Sequence, residues 1–97
     1  MFQIDWTGPA LGDLREIDAW LEREASPEFA LRTLATIRFR ARFLENFPRG
    51  GRPFRDGLRI LRVFDTPYLI RYRILTDTRS VQILRIHHER EDWQIEI

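Results

Sequence analysis

The chain has no cysteine and no lysine, one methionine and two histidines in 97 residues. Without cysteine there are no disulfides, no thiolate zinc sites and no cysteine nucleophile. The two histidines, His87 and His88, are adjacent, and such a pair cannot build a usual zinc site without carboxylates. No structural metal and no cofactor is expected. No apolar run approaches the roughly 20 residues that cross a bilayer, and the first residues lack a basic-then-apolar signal pattern. The expectation is a soluble, cytoplasmic protein with no membrane partner. The absence of lysine makes all 16 basic side chains arginine. Every cation is therefore planar, permanently charged and able to grip phosphate or carboxylate bidentately.

What is present suffices for one small folded domain spanning residues 1–97. Hydrophobic residues make up 43% of the chain and there are twelve aromatics. A domain of this size buries roughly 60–65% of its unfolded surface, enough for a single core.

Charge is unevenly spread. Between Arg49 and Arg90 stand ten arginines against four acids, a local excess of +6, while the rest of the chain sums to −5 for a formal total of +1. A basic surface of this kind suits an anionic partner, nucleic acid or an acidic protein, or else it is simply a solvated sheet face.

Phe2, Ile4 and Trp6 alternate with polar residues, the period of a half-buried strand. Thr7-Gly8-Pro9 breaks that period and opens a helix over about Pro9–Glu24, with Thr7 as its cap and a stripe of Ala10, Leu14, Ile17 and Leu21. Ser26-Pro27 starts a second helix, a capping hydroxyl followed by proline in the first turn. Its stripe is Ala30, Leu34, Ile37, Ala41 and Leu44, and Pro48 to Gly51 end it. So short a connection makes the helices an antiparallel hairpin. Three strand-like runs follow, Leu58–Phe64, Tyr68–Leu75 and Val81–His88, separated by turn segments at Asp65-Thr66-Pro67 and Thr76–Arg79. Residues 89–97 read either as a short strand or as an appended segment. The order β-α-α-β-β-β predicts an α+β domain, an antiparallel sheet with the helical hairpin packed on one face.

In the middle strand Tyr68, Ile70, Tyr72 and Ile74 share the core face, which leaves Arg71 and Arg73 together on the other. Two arginines at i and i+2 suit recognition of phosphate or carboxylate. They equally suit solubilising that face or pairing with Asp65 and Asp77. Arg59 and Arg62 fall on opposite faces of the preceding strand. Gly50-Gly51 permits close approach to a ligand but is no phosphate-loop pattern, and helix termination accounts for it. His87 and His88 point to opposite faces, so at most one looks toward any given site. A histidine there can act as a general base or as a structural hydrogen-bonding group. Trp93 is suited to stacking on a base, filling a partner's pocket or closing the core.

The succession of motifs resembles the ParE branch of the RelE/ParE toxins of bacterial type II toxin–antitoxin systems. The resemblance rests on Asp13-Leu14 and Ile17, Ser26-Pro27 with Ala30, Leu44, Phe47-Pro48-Arg49-Gly50-Gly51-Arg52 and Gly57-Leu58-Arg59. It continues through Tyr68 to Arg73 and Val81 to His88, and closes on Asp92-Trp93. Where such chains usually carry a basic residue just before the aspartate, this one has Glu91, with Arg90 one place earlier. The resemblance implies a toxin that binds and inhibits DNA gyrase without chemistry of its own, in a hetero-oligomer with a cognate antitoxin. Target or antitoxin binding would then fall to Arg59, Arg71, Arg73, Arg85, His88 and Trp93. The alternative it implies is a metal-free endoribonuclease acting on ribosome-bound mRNA, with His88 or Glu89 as base and Arg59, Arg71, Arg73 and Arg90 as cations. The lysine pair of such nucleases is missing here. A third implied reading is an inactive relative that only binds a partner.

Overall fold

The computed structural model describes residues 1–91. Strand β1 (Gln3–Trp6) leads into helix α1 (Gly8–Glu24), helix α2 (Pro27–Arg42) and a 3-10 turn (Phe43–Glu45). Then come β2 (Arg52–Pro53), a 3-10 turn (Arg55–Gly57), β3 (Leu58–Arg62), β4 (Tyr68–Leu75) and β5 (Ser80–His88). The helices form the expected hairpin on one face of one sheet, whose strand order is β1-β5-β4-β3-β2.

Local chemistry explains the helix starts. The Thr7 hydroxyl accepts from the Ala10 amide and donates to the Ile83 carbonyl, so one side chain caps α1 and ties it to the last strand. The Ser26 hydroxyl accepts from the Phe29 amide, with Pro27 in the first turn where a missing N–H costs nothing. Ala10, Leu14 and Leu21 of α1 and Ala30, Ile37 and Ala41 of α2 are the buried stripe. Opposite them the sheet buries Leu61, Ile70, Tyr72, Val81 and Ile83.

Two features go beyond the expected order. β1 pairs in parallel with β5, Gln3 to Trp6 against Ser80 to Ile83, while all other pairings are antiparallel. The two-residue β2 adds an edge beside β3, where proline is tolerated because one side of an edge strand needs no donor.

Gly50 and Gly51 do not end α2, which passes into its 3-10 turn before them. Their use is close approach. A Cβ on Gly51 would stand 2.7 Å from the Tyr72 hydroxyl and 2.8 Å from the Ile60 carbonyl. Its absence lets the chain lie on the sheet. There the fully buried Tyr72 hydroxyl donates to the Pro48 carbonyl (2.7 Å) and accepts from the Gly51 amide (2.9 Å). Arg59 Nη1 takes the Gly51 and Arg49 carbonyls at 2.7 and 3.3 Å.

The outer face of the sheet, away from the helices, carries its own small cluster of Ile60, Leu69 and Phe54. His87, in register with Leu69, is buried there with Nδ1 3.3 Å from the Glu91 carboxylate. Burial above all, then the nearby Arg71, holds the imidazole below its ordinary pKa against the weaker pull of Glu91.

Tyr72→Phe removes one donor and one acceptor from a dry site and strands the Gly51 amide. It should destabilise the protein by about 1–3 kcal/mol, roughly 5–20 °C in thermal midpoint for a domain of this size. A midpoint within a degree of wild type would mean that the loop is held by other contacts. For His87 the folded pKa lies below the unfolded value of about 6.5, so the unfolded chain takes up a proton first as pH falls. Stability should therefore drop as pH is lowered through that value and on to the folded pKa. Urea unfolding of wild type and His87→Leu at a series of pH values isolates this contribution as a wild-type slope that the variant lacks.

Candidate functional site

Register builds the basic outer face. Arg52 lies opposite Ile60, Ile60 opposite Arg71, and Arg71 opposite Arg85, so one row across four strands carries three arginines. A second row sets Arg62 beside Leu69 and His87, and a third sets Arg73 between Leu58 and Gln82. Arg73 Nε donates to Gln82 Oε1 at 2.7 Å, which fixes its stem and points the guanidinium along the face. Arg71 Nε is buried and has no hydrogen-bond partner among the described residues. Its charge also faces His87.

β5 changes face partway along. Arg71 pairs with Arg85 but Tyr72 pairs with Ile83, so Leu84 is an extra residue, a bulge. Before it, Val81 and Ile83 face the hairpin; after it, Ile86 and His88 do. Without the bulge His87 would look into the core and His88 away from it. Asp13 of α1 sits against this irregular stretch, where β1 has already ended. Its Oδ2 accepts from the Ile86 amide (2.9 Å) and from Arg85 Nε (2.8 Å), while Oδ1 accepts from Arg85 Nη2 (2.9 Å). One carboxylate thus fills in for the missing strand neighbour and holds a guanidinium fork. Arg85, expected on the basic surface, is drawn to the sheet's edge by this pair.

His88 faces the hairpin beside the first residue of β4, four residues along that strand from the partner of Arg59. Its ring meets Tyr68 edge-on at 5.6 Å and forms part of the wall of two hollows, one beside Trp20 and Phe29, the other beside Asp13 and Glu91. Nδ1 accepts from the Arg90 amide at 3.1 Å, which leaves the other ring nitrogen as the one that can carry the proton of a neutral imidazole. The His88 amide donates to the Glu91 carboxylate at 2.6 Å.

The expected site residues among those described therefore occupy four places, Arg85 at the sheet's edge being one. Arg71 and Arg73 share the outer face, joined there by Arg52 and Arg62, which were not singled out from the sequence. A two-residue strand is too short to display a period, and Arg62 becomes assignable only once its register is known. His88, with Arg90 following it, lies on the hairpin side. Arg59 lies on that side too, but Arg59 pairs with Tyr72 and His88 with Tyr68. Four residues of strand separate the two positions by about 13 Å. Trp93 is outside the described residues. Among those residues there is no group of three or more histidine or carboxylate side chains able to hold a metal ion. No helix among them is long and apolar enough to cross a membrane.

Against known proteins, the family model described as ParE toxin of type II toxin-antitoxin system, parDE, matches residues 4–93. The Sinorhizobium fredii protein named "Putative toxin Y4kP" is 39% identical over 92 residues, which cover 94% of this chain and 92% of that one. A chain from the chromosomal ParDE toxin–antitoxin system of P. aeruginosa superposes with a TM-score of 0.83 at 28% identity, covering 91% of this chain and 96% of that one. A chain of the toxin–antitoxin complex RelBE2 from Mycobacterium tuberculosis gives a TM-score of 0.68, also at 28% identity, over 90% and 96%. The sequence match takes in both helices, the bulged last strand and the basic outer face alike. The chain belongs to the ParE toxin family of type II toxin–antitoxin systems.

Proposed function

We propose that this toxin acts by binding DNA gyrase and stopping it, with no bond-making or bond-breaking step of its own, and that a cognate antitoxin neutralises it in a hetero-oligomer. The observation that carries this reading is the dispersal of the acid–base set. A nuclease would need a base and cations around one phosphate. Here Arg71 and Arg73 are on the outer face, His88 is on the other, and Arg59 is about 13 Å further along the sheet with its Nη1 engaged on loop carbonyls, while the carboxylate of Glu89 is taken up by Arg62 at 3.5 Å. Such an arrangement suits recognition over a broad surface.

For the antitoxin, the furrow between α1 and α2 offers Leu11, Leu14, Leu34 and Ala35 with the exposed Leu31 at its rim. An amphipathic acidic segment fits it, with apolar anchors in the furrow and carboxylates reaching Arg15 and Arg38 there or Arg71 and Arg73 on the sheet. Pairing of this kind makes association salt-sensitive, while the buried anchors set the residence time.

Purified toxin should block supercoiling by gyrase and leave ribosome-bound message intact. Message cleavage with normal supercoiling would replace this reading with the nuclease one. His88→Ala should relieve growth arrest while the thermal midpoint moves only a few degrees, as for other partly exposed positions. Arg59→Ala should lower both toxicity and midpoint, because it releases the Gly51 and Arg49 carbonyls. A His88→Ala protein that arrests growth as wild type does would remove His88 from the binding residues. The protein encoded beside this gene should co-purify with the toxin and slow its association rate as salt is raised. Failure to co-purify or to rescue growth would defeat the antitoxin assignment.

A further inference from the structure

The face of α2 that turns away from α1 lies against the turn between β3 and β4, and two hollows open between them. They measure about 650 and 430 Å3 and share Thr36 and Asp65 as walls, so they run together as one groove. Exposed large apolar side chains gather along it: Trp20, Phe29, Phe39, Phe43, Phe47 and Phe64. Among the described residues only Met1 and Leu31 are comparably exposed elsewhere. Phe39 is 75% and Phe47 59% exposed, an unfavourable arrangement for a surface that stays in water.

The groove is also built around a fixed cation. The Arg40 guanidinium lies 4.7 Å from the centre of the Phe43 ring and 4.4 Å from that of Phe64, held between them. Its Nε donates to the Arg62 carbonyl at 2.8 Å, and no other hydrogen bond or ion pair involves it among the described residues. Both Nη groups are thus left for a ligand, in the fork geometry that carboxylates match. Phe43 in turn stacks on Phe47 at 5.1 Å. Gly50 makes room for that pair, because a Cβ there would meet the Phe43 ring.

We infer that this groove docks an acidic, apolar segment of the toxin's protein target, seating two apolar or aromatic side chains along the phenylalanines and a carboxylate on Arg40. The inference rests on the proposed function in one respect: the groove ends on His88, the residue proposed to engage the target, whereas the α1–α2 furrow assigned to the antitoxin lies on a different face of α2. Charge argues against the other occupants. A second copy would bring Arg40 against Arg40. A nucleic acid would find the arginine-rich sheet face turned away from this groove, whose walls offer phenylalanine rings.

The test is the double substitution Phe39→Ser with Phe47→Ser, both at exposed positions, and separately Arg40→Met. Each is compared with wild type for growth arrest on induction, binding to purified gyrase, complex formation with the antitoxin, sedimentation and thermal midpoint. Phe47→Ser alone serves if the double variant is insoluble. The expected result is at least a tenfold loss of gyrase binding and relief of growth arrest, with the antitoxin complex kept and the midpoint within a few degrees. Full growth arrest by the soluble double variant would overturn the inference. So would loss of the antitoxin complex with toxicity kept, or a wild-type dimer that the variant dissolves. Binding of a labelled single-stranded oligonucleotide that only wild type retains would overturn it in favour of nucleic acid. If wild type arrests growth but does not bind gyrase, the gyrase reading falls, and the growth-arrest comparison still decides the groove.

Discussion

Beyond its bulge, the last strand is held to the helical hairpin by a single carboxylate. β5 has β4 on one side throughout but β1 on the other only as far as Ile83. Beyond that point its edge amides face α1, and a partly buried amide without an acceptor costs about as much as a lost hydrogen bond. Asp13 meets the need at Ile86 and spends its remaining acceptor sites on the Arg85 fork. The bulge at Leu84 is tolerable because that contact stabilises the stretch following it. The placement of the histidines follows, His88 toward the helices and His87 against Leu69, and with it the difference between a reachable imidazole and a buried one.

Arginine does two kinds of work in a chain that has no lysine. Arg59 and Arg85 use their forks on loop carbonyls and on Asp13, so they are parts of the architecture, while Arg40 is held between two rings with its Nη groups unspent. Arg71 and Arg73 remain on the outer sheet face with much of their donor capacity unspent inside the protein. A net formal charge of +1 conceals this division.

The local parts of the fold were legible in the sequence because their causes are local. Thr7 and Ser26-Pro27 cap the helices they were expected to cap, the apolar stripes of both helices are buried except for the half-buried Ile17 and Leu34, and β4 has the face assignment its alternation predicts. Non-local features left no readable signal. Nothing near Gln3 to Trp6 says that the partner is Ser80 to Ile83, or that the pairing is parallel. The bulge at Leu84 is hidden because one inserted residue in a run of isoleucine, leucine and arginine looks like continued strand. Gly50 and Gly51 follow a helix closely enough to be read as its end, whereas their reason lies in the rings of Phe43 and Tyr72 packed against them. Where each candidate residue lies on the sheet was not legible. Arg71 and Arg73 were rightly grouped, but the wide separation of Arg59 and His88 depends on strand register.

The parallel pairing of β1 with β5 has a bearing on how this protein is made. Synthesis delivers the chain from its N-terminus, and the partner of the first strand is among the last residues of the sheet to appear. A ribosome adds about 5–20 residues per second, so β1 waits several seconds with an unpaired edge while only the helical hairpin can form early. The sheet carrying the outer arginines is completed when β5 enters between β1 and β4. A growing chain therefore passes most of its synthesis without a finished sheet. That interval gives a neighbouring partner time to be present before the toxin is complete.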